Sequence, residues 1–310
     1  MVDPFSEGKA RNFSKSRAPA GDEEKEGWQA ANKTWWESNP MRYDHRDGSI
    51  SAAVHSPEFY DEVDRRFLQS VSVGFPWKKR PFDQFINFDK LQLQDILEVG
   101  VGCGTHAQLL APIAHSYTGI DITEYAVETT QKRLDARSLH GRVIRMDAEN
   151  MSFPDASFDF VWSWGVIHHS SDTQAVLREI HRVLKPGGEV CFMVYHESPW
   201  NTFVRGWLYY GLLKGGMFRG QSAHELLQSN TDGALARYYT TEDLRDEISG
   251  LFALSEIDYL GSKLQLLPLG YGTLKLLLAK LIPNRVGRWI TNRQFFAYML
   301  VATCKKLPLG

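Results

Sequence analysis

The sequence predicts an α/β fold built on a doubly wound, largely parallel sheet. Two observations carry that expectation. Between residues 95 and 195 short apolar runs alternate with helical patterns, the rhythm of strand–helix–strand units joined by right-handed crossovers. The first of those runs leads into Ile96-Leu97-Glu98-Val99-Gly100-Val101-Gly102-Cys103-Gly104-Thr105-His106. Here a strand carries an acid near its end, three glycines follow at alternate positions, and a helix start comes next. Such a turn lets backbone N–H groups and a carboxylate approach a polar ligand with no side chains beneath it.

Taken in order, residues 1–27 mix Ser, Gly, Lys, Arg and Glu without periodicity, and a tail without fixed structure is expected there. Order is expected from about Trp28. The run Trp35-Trp36-Glu37-Ser38-Asn39-Pro40-Met41-Arg42-Tyr43-Asp44-His45 crowds aromatic and polar groups around a helix-stopping proline. Either it staples an N-terminal helix to the core, or it forms a lid in which Trp36 and Tyr43 close over a ligand. Residues 56–71 read as a helix, with Phe59, Val63, Phe67, Leu68 and Val71 at three- and four-residue steps. Gly74-Phe75-Pro76-Trp77 ends it.

Strands are expected near 95–99, 117–121, 142–146, 157–163 and 188–195, and helices near 105–114, 123–137 and 173–184. After Tyr195 the rhythm changes. Residues 199–229 read as amphipathic helix rich in aromatics, Asp232-Gly233 as a turn, and Thr240 or Thr241 as the cap of a further helix. Phe252–Tyr259 and Phe295–Lys305 read as two late strands. Between them, Leu264–Ile282 is leucine-rich but broken by Pro268, Gly270, Gly272, Lys275 and Lys280. It falls short of a membrane span, which needs about 20 mostly apolar residues. A helical insertion packed on the core, a substrate cap and an interfacial membrane contact all remain open for it.

The 310 residues suffice for one large domain with additions, and a hydrophobic content of 43% suits a globular protein. A net charge of −2 provides no global field for nucleic acid or for an anionic membrane. Cys103, Cys191 and Cys304 are far apart and show no zinc spacing; no metal site is expected. Cys191 and Cys304 sit in apolar strand patterns and are expected as buried thiols. The start Met1-Val2-Asp3-Pro4-Phe5-Ser6 lacks a basic segment followed by an apolar one, so a cytoplasmic location is expected.

The glycine spacing separates two ligand classes. A dinucleotide fingerprint reads G-x-G-x-x-G, but the third glycine position holds Thr105, which disfavours an NAD-dependent dehydrogenase. The next strand, Tyr117-Thr118-Gly119-Ile120-Asp121-Ile122, ends in an acid that can accept from both ribose hydroxyls of a nucleoside. A third strand, Val143-Ile144-Arg145-Met146-Asp147-Ala148-Glu149, places Asp147 where a carboxylate can accept from an adenine amino group. The fourth, Ser157-Phe158-Asp159-Phe160-Val161-Trp162-Ser163-Trp164, runs into Gly165-Val166-Ile167-His168-His169-Ser170.

As an ordered set these motifs resemble class I S-adenosylmethionine (SAM)-dependent methyltransferases, and among them the small-molecule group of ubiquinone-type and sterol-type enzymes. The segment Ala175–Gly188, ending Leu184-Lys185-Pro186-Gly187-Gly188, matches that group's helix, turn and entry to the fifth strand. The resemblance is dense over 90–196. It implies a seven-stranded Rossmann-like sheet of order 3-2-1-4-5-7-6 with the last strand antiparallel. It also implies SAM as cofactor, a helical lid over 28–90, and a SAM-binding domain over 91–310 with helical insertions near 199–230 and 262–290. Glu98, Gly100, Gly102, Cys103 and Gly104 would surround the methionine portion, and Asp121 the ribose, with Ile122 beside the adenine. Asp147 and Ala148 would read the adenine edge, and Trp164 would flank the methionine end.

Methyl transfer from a sulfonium is an in-line displacement, so alignment and water exclusion matter most. A general base is needed only for a hydroxyl or a protonated amine. His168 and His169 are the leading candidates, with Tyr43 and His45 able to enter from the lid; at most one of the adjacent histidines faces the site. Tyr195, His196 and Trp36 are candidate substrate contacts. The expected reaction is methylation of an O, N or C nucleophile on a small, moderately apolar molecule, by a monomer or a homodimer. The alternative is a SAM-using cyclase or lyase that releases methylthioadenosine. Intact strand-end acids argue against a non-catalytic module. Ser163-Trp164-Gly165-Val166, in place of an Asn-Pro-Pro-Tyr-type motif, argues against a nucleic-acid substrate.

Overall fold

Strand β1 (Asp95–Val99) lies at the centre of the sheet because both of its faces are apolar. Ile96, Leu97 and Val99 are all buried, as a parallel strand covered by helices on either side requires. It pairs in parallel with β2 (Ser116–Asp121) and with β4 (Phe158–Trp164). Strand β3 (Arg142–Arg145) extends the sheet beyond β2, and β5 (Leu184–His196) extends it beyond β4, both in parallel. The short β6 (Tyr238–Tyr239) pairs with the end of β5. Strand β8 (Met299–Lys306) inserts antiparallel between β5 and β7 (Phe252–Leu260). The path β3-β2-β1-β4-β5-β8-β7 is the expected order once β6 is set aside. The computed structural model describes residues 18–44, 48–269 and 272–308; His45 and residues 1–17 of the expected tail lie outside the described residues.

The helices are α1 (Asp22–Ser38), α2 (Pro57–Gly74), α3 (Ala107–Leu110), α4 (Glu124–Ala136) and α5 (Thr173–Val183). Then come α6 (Asn201–Leu213), α7 (Ala223–Ser229), α8 (Thr241–Ile248), α9 (Thr273–Lys280) and α10 (Asn284–Thr291). Side chains start several of them. Ser56 accepts from the Phe59 N–H, Thr123 from Ala126 and Asp172 from Ala175. Thr240 and Asp243 form a reciprocal capping box. Each such cap contributes about 1 kcal/mol.

Alternation along the strands sorts the core into two layers. Leu97, Val99 and Val161 pack on one face with Val176, Leu177 and Ile180 of α5. Ile96, Phe160 and Trp162 pack on the other with Phe67, Phe82 and Leu110. The carboxyl ends of β1 to β5 therefore emerge along one edge, between the two layers.

Several boundaries differ from the expected ones for local reasons. Helix α1 begins at Asp22, ahead of Trp28, because Asp22, Glu23 and Glu24 favour a helix N-terminus and Lys25 is drawn to Glu149 and Asp172. The helix expected over 105–114 is a single turn. The region 199–229 is split: α6 winds as a π-helix, closing with a Lys214 N–H to Tyr209 carbonyl bond of 3.0 Å, and α7 follows after a turn. The last strand starts at Met299. Leu264–Ile282 divides into a short turn at Lys263–Leu266 and α9. Among the described residues no helix is long and apolar enough to cross a membrane.

Candidate active site

A cleft of about 1570 Å³ runs along the strand ends, lined in turn by the glycine loop, Asp121, Asp147, Trp164 and Tyr195. This is the crevice where open α/β sheets hold their ligands. The loop itself has three glycines in the left-handed region, with φ of 82° at Gly100, 54° at Gly102 and 80° at Gly104. Their reasons differ. A Cβ at Gly100 would lie 2.1 Å from Val166 Cγ2, and one at Gly104 would press on Thr130 and Arg133. At Gly102 the same position meets nothing within 4 Å, so this is the glycine whose bare backbone faces the open cleft.

The loop is held from behind. The Arg133 guanidinium, fully buried, donates to the Cys103 carbonyl at 2.9 Å, to Gln108 Oε1 at 2.7 Å, and to Asp64. Thr105 Oγ1 donates to Asp64 at 2.7 Å, and Thr130 Oγ1 to the Gly102 carbonyl at 3.0 Å. Thr105 thus anchors the loop rather than packing a helix on a strand.

Asp121 is oriented by three donors: Gly102 N–H at 3.2 Å, Thr123 N–H at 3.0 Å and Thr123 Oγ1 at 2.8 Å. Burial raises its pKa, and these donors oppose the rise. Ile122 and Ala148 line the cleft beside it. Asp147 also lines the cleft, but its carboxylate is engaged by α1: Gln29 Nε2 lies 2.9 Å from both oxygens. Glu37 of the same helix accepts the Glu124 and Tyr125 N–H groups at 2.9 and 3.0 Å, at the start of α4.

Glu98 and Gly104 do not face the cleft. Glu98 is buried beneath the loop, accepting from the Tyr117 hydroxyl at 2.6 Å, and burial pushes its carboxyl up to about 8. Gly104 packs against Thr130 and Arg133. Cys103 does line the cleft, with its thiol pushed up to about 12 by burial.

The histidine pair is divided as adjacent residues must be. His169 lines the cleft, its ring edge-on to Trp36 at 5.0 Å, and Nδ1 donates to the Leu235 carbonyl. That bond places the proton of the neutral ring on Nδ1 and leaves Nε2 as the basic nitrogen. His168 is fully buried between His169 and Tyr195, with both ring centroids 4.1 Å away, and burial holds its pKa well below the usual range. It is no proton acceptor for a ligand in the cleft. His196 is likewise buried away from the cleft, its pKa pushed down to about 4 by burial. Trp36, Tyr43, Trp164 and Tyr195 all line the cleft. Tyr43, at φ 61°, stacks on Phe67 at 5.4 Å, and Trp164 stacks on Trp162 at 5.5 Å.

The loop carrying the histidines is tied down by residues distant in sequence. Arg237 donates to the carbonyls of Ser170 and Ser171, and its own N–H donates to the His168 carbonyl at 2.9 Å. Its guanidinium lies over the Trp28 ring of α1. Sequence reasoning missed Gln29, Glu37 and Arg237, and it missed Asp232, which accepts from the Tyr195 hydroxyl at 2.7 Å. It also missed Arg205, Lys275 and Tyr298 on the same wall of the cleft. Only Asp232 carried a local signal, as the turn residue before Gly233, and that signal indicated shape rather than chemistry.

Residues 97–192 match the family model of a methyltransferase domain. Over 98 residues the chain is 38% identical to 27-O-demethylrifamycin SV methyltransferase of Amycolatopsis mediterranei, covering 31% of this chain and 36% of that protein. Over 141 residues it is 33% identical to the ubiquinone/menaquinone biosynthesis C-methyltransferase UbiE of Geotalea daltonii, covering 43% and 60%. The match thus spans well under half of the rifamycin relative and less than two thirds of the quinone one. The fold of the whole chain is shared with the [4+2]-cyclase SpnF, at a TM-score of 0.51 and 17% identity over 94% of this chain and 98% of that one. Residues 97–192 therefore carry a methyltransferase domain, seated in a sheet of the order β3-β2-β1-β4-β5-β8-β7.

Proposed function

We propose that the protein transfers a methyl group from SAM to an O, N or C nucleophile of a small, moderately apolar molecule. One observation carries the reading: the open backbone at Gly102, Asp121 and Asp147 follow one another along a single cleft that continues to His169 and Tyr195. The donor set suits the cofactor. Asp121 provides a pre-oriented acceptor for ribose hydroxyls, Asp147 an acceptor for an adenine amino group, and Gly102 a surface without side chains. Bound SAM supplies an electrophilic methyl on its sulfonium.

Trp164 and Trp36 exclude water from the far end of the cleft, and Tyr195 is oriented there by Asp232. His169, with Nε2 basic, removes a proton where the nucleophile is a hydroxyl or a protonated amine. Residues 22–44 act as the lid, through Gln29, Trp36 and Tyr43. Relatives named for a demethylrifamycin and for ubiquinone/menaquinone biosynthesis support a small-molecule acceptor.

The test is calorimetric titration with SAM, followed by product analysis with a panel of phenols and amines. Replacing Asp121 by Ala should weaken SAM binding about tenfold or more, as loss of hydrogen bonds to a charged acceptor does. Turnover should yield S-adenosylhomocysteine. No binding by the wild-type protein, or methylthioadenosine as the sole product, would overturn the reading.

A further inference from the structure

The exposed large apolar side chains are not scattered. Among the described residues, apart from Val54 and Leu93, all of them lie between Phe203 and Phe218 or between Leu269 and Phe295. From α6 and the turn after it come Phe203, Trp207, Leu212, Leu213 and Phe218, the last 82% exposed. From α9, α10 and the residues between them come Leu274, Leu277, Leu281 and Trp289, with Leu281 77% exposed. A monomeric soluble protein rarely leaves so many together without a use for them.

The two segments are joined in space. Trp200 Nε1 donates to the Gln265 carbonyl at 2.9 Å, and the Trp200 N–H to the Phe295 carbonyl at 3.1 Å. Both segments border the same cleft, one through Tyr209, Tyr210 and Lys214, the other through Leu267, Leu269 and Lys275. They also share a charge. Residues 198–224 and 259–310 contain no Asp or Glu at all, in a chain whose net charge is −2. Their cations include Lys214, Arg219, Lys280, Arg285 and Arg293, all exposed, and none of these five forms an ion pair among the described residues.

We propose that this face docks on an anionic lipid bilayer, with the apolar side chains of α6 and α9 entering the headgroup boundary and the unpaired Lys and Arg residues meeting lipid phosphates. Apolar side chains flanked by basic ones are what an interfacial contact needs, since the two contributions add. A second copy of this chain is a poor occupant, because two such faces would bring like charges together. Both segments also line the cleft, so a docked protein would take an apolar substrate from the bilayer without its passing through water. That last step rests on the methyl-transfer reading; the docking itself does not.

The experiment is co-sedimentation of the full chain with vesicles of phosphatidylcholine alone and of an equal mixture with phosphatidylglycerol, across a salt series. Binding is expected to the anionic vesicles and to weaken as salt rises. The Phe218→Ser, Leu281→Ser double variant and the Lys280→Glu, Arg285→Glu double variant should each lower the partition coefficient roughly tenfold. None of these four side chains lines the cleft, so SAM affinity and the melting temperature should stay at wild-type values. Three results would overturn the proposal: no binding to anionic vesicles at low salt, binding unmoved by both variants, or a stable dimer in solution that either variant dissociates. Because vesicle binding is read without turnover, a failed methylation assay leaves this test intact.

Discussion

The side-chain amide nitrogen of Gln29 lies 2.9 Å from both carboxylate oxygens of Asp147. An N–H donor from the first helix thus occupies the acceptor that an adenine amino group would use. Under the proposed assignment of Asp147 to the adenine, the two donors compete, and α1 yields that contact when SAM binds.

Replacing Gln29 with Ala removes the competitor. S-adenosylhomocysteine should then bind about two- to tenfold more tightly, the range of one net hydrogen bond. Calorimetry measures it. Weaker binding by a similar factor would mean that Gln29 supports the ligand rather than displacing it.

Glu98 predicts a pH dependence of stability. Its carboxyl is pushed up to about 8 from an ordinary value of 4.5, so between those limits the folded state keeps a proton that the unfolded state has released. Stability from this group therefore falls as pH rises from 4.5 to about 8 and is level above, by about 1.4 kcal/mol per pH unit. Glu98→Gln keeps an acceptor for Tyr117 and removes the slope. The variant's melting temperature should gain on the wild type steadily from about pH 5 to about pH 8. A constant difference would rule out a protonated Glu98. The buried His168 and His196 act in the opposite sense, their lowered pKa values costing stability as pH falls below the usual histidine range, but they are common to both proteins and cancel in the comparison; His106, whose Nδ1 lies 3.8 Å from Glu98, does not cancel, and the comparison is therefore made above the usual histidine range as well as below it.

The histidine pair should separate cleanly. His169→Ala is expected to lower turnover on a hydroxyl acceptor by about 10²- to 10⁴-fold, the usual worth of a general base, with SAM affinity unchanged. His168→Ala should instead lower the melting temperature, since it empties a fully buried site between two rings. Full activity in the His169 variant would end its role as base. A His168 variant of wild-type stability with lost turnover would reverse the assignment.

The strand-end residues were legible because each closes an apolar run. Asp121 and Asp147 follow short β-branched and aromatic runs typical of strands, and the parallel pairing of β2 with β3 brings both to the same edge of the sheet. The split within the histidine pair was partly legible, as neighbours in a chain point apart, but which one faces the cleft depends on Arg237 and Leu235. Contacts of that kind have no local signature. Gln29 meets Asp147 across more than a hundred residues, and nothing near Gln29 distinguishes it from any solvent-facing glutamine. Glu98 misled for a related reason: its place beside the glycines marks proximity to the ligand loop, whereas the strand alternation that turns it away from the cleft is a property of register. The π-winding of α6 was hidden because its aromatic spacing suits an ordinary amphipathic helix equally well.

The grip of Arg237 on the Ser170 and Ser171 carbonyls, with Trp28 against its guanidinium, has a consequence for engineering. Residues 22–38, 167–171 and 231–239 form one mechanical unit although they are scattered along the chain. A chimaera that exchanges the first helix with that of a homologue, or grafts a new loop after β4, exchanges only part of that unit. Acceptor specificity should therefore transfer between relatives when the three segments move as a set, and should be lost when any one of them moves alone.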